Sequence, residues 1–67
     1  MYIEAVNDEN TIDFIRSALS QHGIPEPLEF ADRLEKIIRD KSPKIIGVNY
    51  NKVLSEFTLW ADGEIVT

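Results

Sequence analysis

Cysteine is absent from this chain of 67 residues, which removes both the disulfide framework that staples many miniature secreted domains and any thiolate metal site. Histidine and tryptophan occur once each, as His22 and Trp60. Gly23 and Pro25 interrupt the chain between His22 and the carboxylates of Glu26 and Glu29, so no helical pair of metal ligands exists. The glycines are dispersed at 23, 47 and 63 and build no phosphate-binding loop. Ser17, Ser20, Ser42 and Ser55 belong to no nucleophile motif. No catalytic, cofactor-binding or metal-binding residue is assigned, and the expectation is a non-enzyme without a cofactor. No apolar run approaches the ~18 residues of a membrane span. The opening MYIEAVNDEN has neither the basic nor the apolar region of a signal peptide. A complete, soluble, cytoplasmic chain with no membrane partner is expected.

What is present is enough apolar residue, 43% of the chain, to argue against disorder. One domain spanning residues 1–67 is expected, and a chain this short buries only about 60% of the surface its unfolded form exposes. A partner, or a second copy, is the expected supplement to a thin core. The net charge is -5, and it is placed asymmetrically. Residues 1–31 hold six acids against one base, Arg16, whereas residues 32–67 hold six acids and six bases. Such a field disfavours nucleic acid and favours a basic partner, although solubility alone also accounts for it.

The clearest local signal is Pro27 to Lys41. Phe30, Ala31, Leu34, Ile37 and Ile38 share an arc of roughly 120°, with charged residues on the other side. Glu29/Arg33, Asp32/Lys36 and Glu35/Arg39 stand in the favourable i,i+4 order. Pro27 suits the first helical position and Ser42-Pro43 stops the helix. An earlier helix, Thr11 to His22, follows a turn at Asn7 to Asn10, with Asn10 as its cap. Ile12, Phe14, Ile15, Ala18 and Leu19 form its wider apolar arc. Gly23 supplies a left-handed C-terminal position, with Ile24 closing the contact that accompanies it.

Tyr2 to Val6 alternates as a short strand, and so does Lys44 to Tyr50. Leu54 to Ala61 is drawn as a strand. Lys52 to Ala61 also fits a helix, but Phe57-Thr58-Leu59-Trp60 and the following Asp62-Gly63 favour the hairpin. That turn returns the chain into Glu64 to Thr67 and sets Trp60 opposite Ile65. The order is β-α-α-β-β-β. The expected fold is an α+β two-layer sandwich, a helical hairpin packed on one face of a small, mostly antiparallel sheet. The other sheet face has nothing left in the chain to cover it.

Candidate sites follow from that architecture. In one register Trp60 and Ile65, with Tyr50 or Tyr2, lie on the uncovered face and form a binding hot spot. In the other Trp60 is the central core aromatic, which the size of the domain favours. A second candidate is the acidic set Glu4, Asp8, Glu9, Asp13, Glu26 and Glu29, able to dock on a basic surface. Most of these acids also fit as ordinary complements to helix N-termini.

The leading expectation is a small acidic protein-binding module acting without catalysis, such as a phage or mobile-element inhibitor or modulator of a host protein. Homodimeric structural or regulatory use of the sheet is the first alternative. The second is weak nucleic-acid binding through the basic residues from Arg33 to Lys52. Asp32, Glu35 and Asp40 interleave with those bases and neutralise them, so nucleic acid is the less favoured partner.

Overall fold

The change from helical to alternating apolar period after Pro43 marks the point where the chain returns to the sheet. The structure, a computed structural model, describes residues 1–66. Strand β1 (Tyr2–Val6) is followed by helices α1 (Thr11–Gln21) and α2 (Phe30–Lys41). Strands β2 (Ile45–Asn51), β3 (Glu56–Ala61) and β4 (Glu64–Ile65) complete the chain. The strands form one antiparallel sheet in the order β1-β2-β3-β4, and both helices pack on the same face of it. The fold is thus the α+β arrangement expected. Its Cα radius of gyration, 10.9 Å, is that of a close-packed domain of this length.

Alternation decides which strand residues meet the helices. Ala5, Ile46, Val48, Leu59 and Ala61 face Ile15 and Leu19 of α1 and Phe30, Leu34 and Ile37 of α2. Seven of the apolar residues in that cluster are essentially inaccessible, each adding about 1.5–3 kcal/mol of apolar burial. Phe30 anchors the α2 end of the core, with its ring 5.0 Å from that of Phe57, and Tyr50 stacks on Phe57 from the neighbouring strand at 4.8 Å. Tyr50 is therefore on the helix-covered side, and its alternative placement beside Trp60 is incorrect. Its even spacing with Ile46 and Val48 fixes this.

The turn chemistry holds in detail. Gly23 adopts φ 69°, its N–H donates to Ser20 O, and Ile24 N–H donates to Leu19 O, the bond pair of a Schellman cap. Asp62 and Gly63 both take positive φ, 50° and 83°, as a type I′ hairpin turn requires. Trp60 pairs with Ile65 in the resulting hairpin. Asp62 does more than turn the chain: its Oδ1 accepts the Lys44 and Ile45 N–H groups at 2.9 and 3.0 Å, pinning the start of β2.

Several boundaries differ from the sequence reading. Helix α2 begins at Phe30, because Glu29 stands in the left-handed region at φ 67° and a turn joins Phe30 N–H to Pro27 O. Pro27 thus precedes the helix instead of opening it. Glu29 is left outside α2, and none of the three expected i,i+4 charge pairs is within salt-bridge distance among the described residues. Arg39 instead meets its neighbour Asp40 at 3.3 Å.

Asn10 makes no side-chain cap to α1. Thr11 instead ties the preceding turn to β1: its hydroxyl accepts from Asp8 N–H and donates to Val6 O, both at 2.6 Å. Residues 52–55 are a turn, with Asn51 Oδ1 accepting the Val53 and Leu54 N–H groups, so β3 starts at Glu56. The expected end of the last strand at Thr67 lies outside the described residues.

Candidate functional site

Strand parity that buries Leu59 and Ala61 necessarily turns Trp60 to the opposite, helix-free face. The register aligns Glu4, Gly47, Trp60 and Ile65 in one row across that face. Tyr2, Asn49 and Thr58 form the row on one side of it, and Val6 and Ile45 the row on the other. Trp60 is therefore not the central core aromatic. It is half-buried on the uncovered face, beside the exposed Ile65. Tyr2 joins it, as one of the two sequence alternatives had it.

Gly47 makes this arrangement possible. The Tyr2 side chain leans over the bare Gly47 backbone, so that any Cβ there would overlap the phenol, with Cζ only 2.8 Å away. Tyr2 thereby reaches Trp60 across the intervening strand, ring centroids 6.5 Å apart and planes at 87°, an edge-to-face geometry. The Tyr2 hydroxyl donates to Glu4 Oε2 at 3.2 Å. Its titration is shifted above the ordinary phenol value, first by loss of hydration against the sheet, then by the Glu4 hydrogen bond and the Glu4 charge. The indole N–H of Trp60 is shielded from solvent and meets no acceptor among the described residues, an arrangement that costs stability. The charged side chains that parity assigns to the strands of this face are Glu4 and Glu56, both acids.

The other acids do not gather into one site: Asp13 and Glu26 line one groove with Arg16, and Asp8 lines another with Glu4. Glu26 is bound to Arg16 of α1 at 3.0 Å, tying the interhelical connector to the first helix. Asp8 Oδ1 accepts Asn10 N–H at 2.8 Å in the turn before α1. Asp13 lies in the first turn of α1, and Glu9 is exposed in the preceding turn. Glu29 follows the connector in its left-handed conformation.

The basic residues are likewise divided. Arg33, Lys36 and Lys41 rim a groove of about 270 Å³ floored by Ile37, Leu59 and Val66. Lys52 lies at another groove with the exposed His22 and Tyr50. Among the described residues no group of three or more histidine, cysteine or acidic side chains is placed to hold a metal ion. No helix in them is long and apolar enough to cross a membrane.

Sequence reasoning passed over Gly47, Val6 and Phe14. A glycine inside a strand is a recognised sign of close approach, so Gly47 was detectable. Phe14 was assigned to the core face of α1, yet it is 55% exposed and lines a groove with Val6 and Glu4. Helical spacing does not tell which side of a wide apolar arc the sheet will cover.

No family model matches the chain, and neither a curated protein nor a solved structure matches it significantly.

Proposed function

We propose that this protein is a non-catalytic protein-binding module that engages its partner through the helix-free sheet face. The observation that carries the reading is the Tyr2–Trp60 pair standing on that face with Val6, Ile45 and Ile65 around it. Aromatic residues within an exposed apolar surface are the residue types that dominate binding energy. Glu4 and Glu56 on the same face, and a net charge of -5, favour a partner with basic character. Within this reading, an inhibitor or modulator of a host protein carried by a phage or mobile element is the particular form that small size and one-sided acidity favour. It would act by occupying a surface, since the reading gives it no reaction to perform.

The test is affinity capture from source-cell extract with wild type, Trp60→Ala and Ile65→Glu in parallel, after circular dichroism has established that each variant folds. Ile65 is exposed, so its replacement spares the core. Loss of one specific partner with both variants is the expected result. Equal recovery of that partner by all three proteins overturns the reading.

A further inference from the structure

We infer that the outer edge of β1, with the groove between it and the start of α1, takes up an extended basic segment of a partner protein as a fifth strand. This inference rests on the protein-binding reading and deepens it, because it names both the chemistry of the partner and how that partner attaches.

Strand β1 is an edge strand, hydrogen-bonded among the described residues to no strand but β2. At its ends, Met1 exchanges bonds with Tyr50, and Asn7 N–H donates to Lys44 O at 2.8 Å. Antiparallel pairing alternates bonded and non-bonded positions. Ile3 and Ala5 therefore bond inward to Val48 and Ile46, while the N–H and C=O groups of Tyr2, Glu4 and Val6 point away from the sheet. Of these, Val6 O already accepts the Thr11 hydroxyl and retains a second lone pair. This row of peptide groups is a template for an added strand.

A groove of about 330 Å³ runs beside the template, lined by Glu4, Ala5 and Val6 on the strand side, by Asp8 from the turn before α1 and by Phe14 from its first turn. Among the described residues neither lysine nor arginine lines it. A strand added antiparallel to β1 would alternate its side chains in step with β1. Those opposite Tyr2, Glu4 and Val6 would lie on the helix-free face, and those opposite Ile3 and Ala5 would turn toward the helix side, where Phe14 offers an exposed ring.

The charge at the centre of the edge selects the occupant. A second copy paired in full antiparallel overlap would set Glu4 directly against its own counterpart, and like charges facing across a ladder are destabilising. A lysine or arginine at that position turns the same site favourable. The fitting segment thus alternates basic residues on the open face with apolar ones toward Phe14.

The probe is a capped six-residue peptide alternating lysine and valine, with a glutamate-valine peptide as control. Binding is followed by amide chemical shifts and hydrogen exchange of the ¹⁵N-labelled protein. The lysine peptide is expected to shift and protect the Tyr2, Glu4 and Val6 amides, and the glutamate peptide to leave them unchanged. Glu4→Lys, at an exposed position, is expected to weaken the lysine peptide about tenfold, through one attractive pair lost and one repulsive pair gained. It should also admit the glutamate peptide. Val6→Pro removes an outward N–H without altering charge, as edge strands tolerate, and is expected to reduce binding with an unchanged circular dichroism spectrum.

Equal response to both peptides, or no response in β1, overturns the inference. So does protection of the β1 amides that grows with protein concentration alone, which would identify self-pairing. If Ile65→Glu abolishes partner capture while Val6→Pro leaves it intact, the open-face reading stands and the added strand falls.

Discussion

Tyr2 and Gly47 are coupled by absence: the phenol of one occupies the space that a side chain on the other would fill. The contact lets the first strand reach over the second to Trp60 on the third. It joins three strands on a face that no helix supports.

Gly47→Ala is expected to expel the Tyr2 ring, which can swing off the sheet edge because it is the far end of a mobile side chain. The loss of the aromatic pair costs about 0.5–1.5 kcal/mol, partly offset by the better strand propensity of alanine. The Trp60 emission should move to longer wavelength as the indole hydrates. Tyr2→Ala should give the same spectral change. The double variant should show less than the sum of the two destabilisations, because both remove one contact; additive losses in urea titrations would disprove the coupling.

The pH dependence of stability provides a second check. The Tyr2 hydroxyl has its pKa raised above the ordinary phenol value of 10.0 in the folded chain, through lost hydration and then Glu4. Above that value the unfolded phenol ionises while the folded one still holds its proton, so the unfolded state is favoured. This contribution is therefore complete below the unfolded pKa and declines as pH rises through the folded one. Tyr2→Phe should flatten that alkaline decline when urea midpoints are compared below and above it.

Two phenylalanines of similar sequence context should behave oppositely. Phe30 is fully buried and touches Phe57, whereas Phe14 is more than half exposed. Phe30→Ala is expected to cost about 3–5 kcal/mol, comparable with the whole stability of a domain this size, about 3–10 kcal/mol. It should leave much of the population unfolded at 25 °C by circular dichroism. Phe14→Ala should cost less than about 1 kcal/mol.

Asp62 holds the start of β2 through two backbone N–H bonds while turning the β3–β4 hairpin. Asp62→Ala removes the one oxygen that accepts both N–H groups and places alanine at positive φ, for an expected loss of about 1–2 kcal/mol. Asp62→Asn keeps an acceptor and tolerates that backbone, and it should lose less than half as much. Denaturation of the two variants side by side measures the difference.

The candidate site was legible in part. Trp60 opposite Ile65 follows from Asp62-Gly63 alone, because a two-residue turn fixes the hairpin register. The pairing of Tyr2 with Trp60 does not, since those residues lie on strands separated by β2 and meet only because Gly47 leaves room between them. Phe14, assigned to the core, and Tyr50, offered as a neighbour of Trp60, were misplaced for the same reason in reverse: each local period defines a face, but not what covers it. Of the expected charge pairs, Glu29/Arg33 was lost where Glu29 left the helix at the Pro27-Leu28 turn, while Asp32/Lys36 and Glu35/Arg39 lie within α2 and still form no salt bridge among the described residues.

By itself the sequence determined the element order, the alternation within each strand, the Gly23 cap and the Asp62-Gly63 hairpin, because each depends on interactions between residues close along the chain. Tertiary structure decided the side of the sheet on which the helices settle. That choice buried Leu59 and Ala61 and exposed the Tyr2–Trp60 face, while the strand order β1-β2-β3-β4 left the β1 edge with its outward peptide groups. Its physical reason is collective: the helices cover the face where Ile46, Val48, Leu59 and Ala61 add their apolar surfaces, and the opposite face keeps what remains.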